Sequence, residues 1–562
     1  MQAGLRFALL LSEFHWQRWQ QLTDNPRAAQ TQLLLQIVRR NRSTAFGLDH
    51  NFAAIKSVAD YRKQVPLGDY ERIRPYIDRA KLGERAVLTA EPIQMFTMTS
   101  GSTGEPKLIP VTDSTRASHS KLTKLWYSRA FRDHPRCGDG KVFGLVGAAV
   151  EGRTAGGIPF GAASGLIYRS SPRWIRRTHA LPYEIAEIKD FEAKYYVAMR
   201  FALEQDITFL GTPNPSTILR LVGSADRYRD DIVRDIHDGA LSSRFEVANE
   251  IRAALAPEMS PNRGRARELE TVIKKQERLR PVDYWPHLQL IGCWKGGSVG
   301  VRLKELETWF GAGMPTRDLG YMASEAQMSL PIADAGCAGI LAIDANFFEF
   351  IPEPEIDSPN PAAVTCDELE VGGVYYVILT TAGGLYRYDI NDLIRVSGFH
   401  RRTPLIEFLR KGRDVTNITG EKLHVNQVIQ AMDEARRTTG LAVLHFRAFA
   451  DVEQSRYAFL VEFAGSAPNQ GPLTHLHHEL DSRLCALNVE YAQKRESQRL
   501  RAPILGVMKS GWFERKASSA LQRGARDTQF KAQLLSSTPE ESSEIMFVVE
   551  NTGPPARANE PT

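Results

Sequence analysis

Residues 96–110 run Phe-Thr-Met-Thr-Ser-Gly-Ser-Thr-Gly-Glu-Pro-Lys-Leu-Ile-Pro. Apolar residues flank a run of small ones, Thr99, Ser100, Gly101, Ser102 and Thr103, followed by Lys107. Small side chains let backbone approach a polyphosphate, N–H and hydroxyl groups donate to its oxygens, and a lysine adds a point charge. A Walker A loop is excluded, because it needs Gly directly before the lysine and Ser or Thr directly after. Lys107 stands between Pro106 and Leu108. A Ser/Thr/Gly cluster alone would describe a flexible surface loop equally well. The Pro-Lys step and the apolar turn after it favour a phosphate loop.

Outward from this loop the chain alternates strand-like and helix-like segments. The first 45 residues read as helical, with Leu33, Leu34, Leu35 and Val38 on one apolar face, and Pro66 and Pro75 punctuate the approach to the loop. Strands are expected at Val142–Val146, Leu288–Cys293, Gly339–Ala342 and Val374–Leu379, and an exposed charged helix at 262–280. That alternation predicts a large mixed α/β domain over residues 1–412. After a turn at Lys411–Asp414 the texture changes. A helix through Val425, Val428, Ile429 and Met432 precedes strands at Leu441–Ala448 and Tyr457–Phe463, a helix at about Leu473–Tyr491 and a strand at Ile504–Met508. This predicts a smaller α+β domain over 413–535. The Ser/Glu/Pro-rich remainder, 536–562, is expected to be a disordered tail.

Bulk properties narrow the function. A chain of 562 residues is too long for one ordinary core. Its net charge of +5 is small against 71 basic and 66 acidic side chains, which argues against a nucleic-acid partner. Five scattered cysteines form no C-x-x-C pair and no zinc spacing, as expected of reduced thiols in the cytoplasm. The apolar run Phe7–Leu11 is too short for a membrane span. The basic-aromatic run Arg169–Arg177 is short and isolated, and reads as a solvated face.

Two further motifs suit nucleotide chemistry. In Gly320-Tyr321-Met322-Ala323-Ser324-Glu325, an aromatic face able to cover a purine lies near a carboxylate suited to Mg2+. Tyr386-Arg-Tyr-Asp-Ile-Asn-Asp392 ends in an acid able to accept from two hydroxyls. Each alone has a bland alternative: core aromatic, solvated carboxylate, turn residue. The three in order resemble the acyl-adenylate-forming superfamily, which includes acyl-CoA synthetases, firefly luciferase and peptide-synthetase adenylation domains. Phe46-Gly47, Val65-Pro66-Leu67, Tyr70-Glu71, Pro75-Tyr76-Ile77, Gly83-Glu84, Pro213-Asn-Pro-Ser216 and Trp285-Pro-His-Leu288 to Cys293-Trp294 narrow the match. Together they resemble the auxin-responsive promoter family of acyl acid amido synthetases, over about 40 to 535.

The resemblance implies a two-step reaction: ATP-dependent adenylation of a small carboxylic acid, then acyl transfer to an amine such as an amino acid, with ATP and Mg2+ required. It implies that Thr99, Ser100, Gly101, Ser102, Thr103, Gly297, Gly320, Tyr321, Met322, Ala323, Ser324, Asp392 and Arg413 bind ATP or AMP. It further implies that Glu325 holds magnesium, that Lys107 and Lys531 act on the phosphates, and that Asp414 is a hinge. Gly420-Glu421-Lys422 resembles the stretch after that hinge. Acid-pocket residues are expected around 119–130, 150–165, 215–220 and 294–300. The chain departs from the family in having Met322-Ala323 where members show Gly-Ser, Val425-Asn426 where an acid is expected, and Gln533-Leu534 where plant members show Pro-Arg. Those changes bear on acceptor choice more than on nucleotide binding.

Rival readings are a thiol acceptor (CoA or a carrier), a nucleotide-binding regulator without catalysis, and an esterase. The last rests on Gly296-x-Ser298-x-Gly300, which needs a downstream acid and a histidine such as His400 or His424. Spacing identifies neither the acid, the amine nor an oligomeric state.

Overall fold

The computed structural model describes residues 3–99, 107–296, 303–356, 358, 360–412, 415–416, 418, 421, 423–451, 454–496, 500–522, 534–536 and 543–550. They divide into two compact units, Met1–Leu409 and Arg410–Thr562.

The first unit opens with helices Ala3–Leu22 and Pro26–Arg40. Asn25 caps the second, its side chain accepting from Ala28 N–H, and Pro26 pre-sets the first turn. Leu34, Ile37 and Val38 form its buried face. Gln30, also buried, donates to the carbonyls of Ile343 (2.5 Å) and Asn346 (2.7 Å) and accepts from Phe348 N–H (2.8 Å), which fixes the helix to strand Phe347–Pro352.

Three sheets follow. A four-stranded sheet is built on the antiparallel hairpin Met95–Thr99 and Lys107–Val111, with Thr99 opposite Lys107. A second sheet is wholly parallel, with strands Lys141–Phe143, Ile207–Gly211, Leu290–Gly292 and Thr316–Arg317 in sequence order. Strand periodicity sends neighbours to opposite faces. Accordingly Leu210 and Ile291 join the core under helices Phe191–Ala202 and Pro215–Arg227, while Phe209 and Leu290 pack with Trp126 of helix Asp113–Asp133. A third, six-stranded sheet runs Phe347–Pro352, Val374–Thr380, Tyr388–His400, Thr403–Lys411, Gly339–Leu341, Ser329–Leu330.

The expected strands are present with ends shifted by up to three residues, and the expected charged helix is Arg263–Gln276. That helix is not wholly exposed, since Ala266 and Leu269 are fully buried.

In the second unit, helix Val425–Thr439 buries Val428, Ala431, Met432 and Ala435 and stops at Gly440 in the left-handed region. The single helix expected at 473–491 is two, Gln470–Leu487 and Val489–Glu496. Asn488 breaks the run: its side chain accepts from Tyr491 N–H (2.9 Å) and donates to the Glu421 carbonyl (3.0 Å). The five-stranded sheet is ordered Leu535–Ser536, Val443–Asp451, Arg456–Phe463, Ile504–Met508, Ile545–Glu550. Its last strand corrects the tail expected from 536. Ile545–Glu550 pairs antiparallel with Ile504–Met508, with Val507 opposite Phe547 and Val549 buried. The polar composition of the whole tail masks Ile-Met-Phe-Val-Val, a β-prone run able to complete a sheet. Among the described residues no helix is long and apolar enough to cross a membrane.

Candidate functional site

Parallel strands deliver their carboxyl ends to one edge, and open α/β sheets bind ligands outside that edge. Here the edge gathers Thr212–Asn214, Cys293–Gly296 and Asp318–Glu325. Backbone bonds knit them: Thr212 N–H to Gly292 O (2.9 Å), Trp294 N–H to Pro213 O (2.7 Å) and Cys293 N–H to Arg317 O (3.1 Å).

Asp318 was not among the expected site residues. It is buried and accepts from the N–H groups of Lys295 (2.6 Å) and Gly320 (2.6 Å). Burial pushes its carboxyl up to about 6, with those N–H groups and the Lys295 charge pulling the other way. Gly320 has φ +94°, and a Cβ there would meet the Ser329 carbonyl at 2.5 Å, so only glycine fits.

Tyr321 comes next and is buried. Its N–H donates to Ser329 Oγ (3.0 Å), its ring lies 5.2 Å from that of Phe408, and its hydroxyl donates to Asp392 Oδ2 at 2.5 Å. Two residues expected at the adenine and the ribose, 71 positions apart, are therefore in direct contact. Burial first, then the Asp392 carboxylate, pushes the Tyr321 hydroxyl well above its ordinary pKa. Met322 bridges to Gln327, and Ala323 N–H donates to Ala326 O (2.9 Å), forming a tight turn. Ser324 Oγ donates to Met98 O (3.4 Å), and Thr97 Oγ1 donates to Ser324 O (3.3 Å). The turn thus touches the strand that leads into the phosphate-loop residues. Glu325 contributes negative charge at both Tyr321 and Tyr388.

Lys107 lies with Nζ 5.5 Å from the Tyr70 ring centroid, and Leu108 N–H donates to the Tyr70 hydroxyl (2.9 Å). The Asp392 segment is held from below. Tyr386 stacks on Phe46 (4.6 Å) and donates to Leu88 O (2.6 Å). Arg387, at φ +43°, grips the buried Glu349 through Nε (2.9 Å) and Nη2 (3.2 Å) and donates to Val65 O (3.0 Å). Arg62 adds a third bond to Glu349 (2.8 Å), and Asp389 N–H donates to Gly68 O (2.8 Å). The sequence run from Phe46 to Tyr70 is therefore the packing support of the 386–392 motif.

Ser100, Gly101, Ser102, Thr103, Gly297, Arg413, Asp414 and Lys531 lie outside the described residues, as does Ser298; Thr99 is placed by its backbone alone. His400 packs its ring 6.1 Å from Trp16. Among the described residues no group of three or more His, Cys, Asp or Glu could hold a metal ion. Glu325, a lone carboxylate at this edge, has the oxygen-donor chemistry that a hard divalent cation would take. Asp318, Glu349 and Phe408 were missed by sequence reasoning. The only signal for Asp318 was a carboxylate two residues before Gly320, after a strand too short for periodicity to register.

The chain matches the GH3 family N-terminal domain over residues 16–315, the central domain over 339–411 and the C-terminal domain over 426–540. It is 24% identical to an indole-3-acetic acid-amido synthetase of Arabidopsis thaliana, covering 91% of this chain and 89% of that one. It is 25% identical to a jasmonoyl–L-amino acid synthetase of Oryza sativa subsp. japonica, covering 91% and 93%. A solved acyl acid amido synthetase in complex with 2,4-DB superposes with TM-score 0.83 at 23% identity over 98% of each chain. A 2-hydroxyisobutyryl-CoA ligase in the postadenylation state gives TM-score 0.53 at 13% identity over 90% and 88%. With its three domains matched in order, the chain belongs to the GH3 family, and its fold is that of the acyl-adenylate-forming ligases.

Proposed function

We propose that this protein is an acid–amino-acid ligase that forms an acyl-adenylate from ATP and a small carboxylic acid. The observation that carries the reading is the 2.5 Å bond between Tyr321 and Asp392 at the carboxyl edge of a parallel sheet, beside the strand that enters the phosphate loop. In the first step a carboxylate oxygen of the acid attacks the α-phosphorus, and pyrophosphate leaves. Asp392 accepts from the ribose hydroxyls, the Tyr321 segment walls the adenine, and residues 99–107 with Lys107 neutralise the phosphates. Glu325 would hold magnesium, which when bound would supply neutralisation of the phosphate charge. In the second step the acceptor amine attacks the acyl carbonyl, loses a proton, and AMP leaves with the electrons of the broken C–O bond. Lys531 serves the first step, and rotation of the small domain about Arg413-Asp414 withdraws it for the second. The five free cysteines suit a reducing, cytoplasmic setting.

The curated relatives act on indole-3-acetate or jasmonate, and a panel of indole, aryl, cyclopentyl and short-chain acids tests this chain directly. Each acid is supplied with Mg·ATP and either mixed amino acids or CoA, and products are identified by mass. An acyl amide with AMP is expected; a thioester formed in preference would assign the acceptor to a thiol and overturn the amide reading.

A further inference from the structure

Asp318 belongs to no motif that the sequence singles out, yet it sits where two site-bearing segments begin. Its carboxylate, 4% exposed, accepts on separate oxygens: Oδ2 from Lys295 N–H and Oδ1 from Gly320 N–H, both at 2.6 Å. The strands beneath are only three and two residues long, Leu290–Gly292 and Thr316–Arg317, and their ladder ends at Cys293. Beyond it, Trp294–Gly296 and Gly320–Tyr321 need another tie. Asp318 supplies one, and the Trp294 indole supplies a second by donating to Gly320 O (3.0 Å). Lys295 leaves the carboxylate to the backbone donors, because its own ammonium reaches the carbonyls of Thr316 (3.2 Å) and Asp334.

We propose that Asp318 is a positioning residue for nucleotide binding, clamping the Trp294–Gly296 segment to the Gly320–Tyr321 segment so that two walls of the ATP site are held in fixed relation. The inference rests on the adenylation reading above and names a residue that serves it. Burying an acid is costly unless its oxygens are satisfied. Two N–H donors on two oxygens require a carboxylate, because an asparagine of the same shape would turn its amide donor toward one of them.

The test is Mg·ATP affinity by isothermal titration for wild type, Asp318→Asn and Asp235→Asn. Asp235 is a matched control: it is equally buried at 3%, accepts from Tyr196 hydroxyl (2.7 Å) and Ser242 N–H (2.5 Å), and lies in helix Arg229–Asp238 away from the sheet edge. At a comparable loss of thermal midpoint, Asp318→Asn should weaken binding by about tenfold or more, and Asp235→Asn by less than about twofold. Equal affinity in the two variants would reduce Asp318 to a structural acid and overturn the proposal. Should Asp318→Asn fail to fold, Trp294→Phe removes the second tie at the same joint. About threefold weaker binding is then expected, and unchanged affinity overturns the clamp. Wild type that binds Mg·ATP but releases no pyrophosphate with any acid contradicts the adenylation reading alone; wild type that binds no Mg·ATP overturns both.

Discussion

Tyr321 and Asp392 show how one contact decides what a substitution can report. Tyr321→Phe keeps the buried ring against Phe408 and removes the hydroxyl that donates to Asp392. The carboxylate then loses a charge-assisted bond of about 1.5–3 kcal/mol. KM for ATP should rise about 3- to 10-fold, while Asp392→Ala should lower kcat/KM about 100-fold or more. Steady-state kinetics that find the two variants equal would sever the Tyr321–Asp392 pair from nucleotide binding. Asp318 gives a pH signature of its own. Burial raises its pKa from 3.8 to about 6, against opposing pulls from Lys295 and the N–H donors, with Cys293 and Cys337 also facing it. The stabilisation from its proton is full below 3.8 and is lost as pH rises through 6. Urea unfolding should therefore show wild type losing about 2–3 kcal/mol relative to Asp318→Asn between about pH 4 and pH 7. A constant difference would contradict the raised pKa.

At the scale of elements, the 386–392 motif is held by packing that looks remote in sequence. Glu349, on strand Phe347–Pro352, is fully buried between Arg387 and Arg62. Glu349→Gln leaves two guanidinium groups beside a neutral amide and should destabilise the first unit by about 3–5 kcal/mol, read as a lower unfolding midpoint. A shift equivalent to under about 1 kcal/mol would mean that the network is dispensable. Much at this scale was legible. Val425, Val428 and Met432 recur at helical spacing, and Tyr457–Phe463 is an almost continuous apolar run. Other features were not. Thr316–Arg317 has two residues, too few for any period, and the Ile545–Glu550 strand is hidden by the polar residues around it. Asn488 splits a helix through side-chain bonds to Tyr491 and Glu421, one of them far away in sequence. Of the candidate site, Tyr321, Glu325 and Asp392 were marked by the sequence because each type suits one part of a nucleotide, and the structure brings Tyr321 and Asp392 into contact. Asp318 was not, because its role is to hold backbone from another strand.

The whole molecule divides at Leu409/Arg410, and the proposed hinge pair Arg413-Asp414 follows closely. Proline fixes φ and removes an N–H, so Asp414→Pro should leave acid-dependent pyrophosphate release within about twofold and slow acyl transfer about tenfold or more. Equal loss of both half-reactions, measured separately by single turnover, would remove the hinge from the mechanism. Adenylation itself is most directly tested by pyrophosphate release from Mg·ATP, measured acid by acid without acceptor, in wild type, Asp392→Ala and Lys531→Ala. Release that depends on one class of acid in wild type and falls in both variants is the predicted result. ATP that binds but yields no pyrophosphate with any acid, or release that survives Asp392→Ala unchanged, would contradict it.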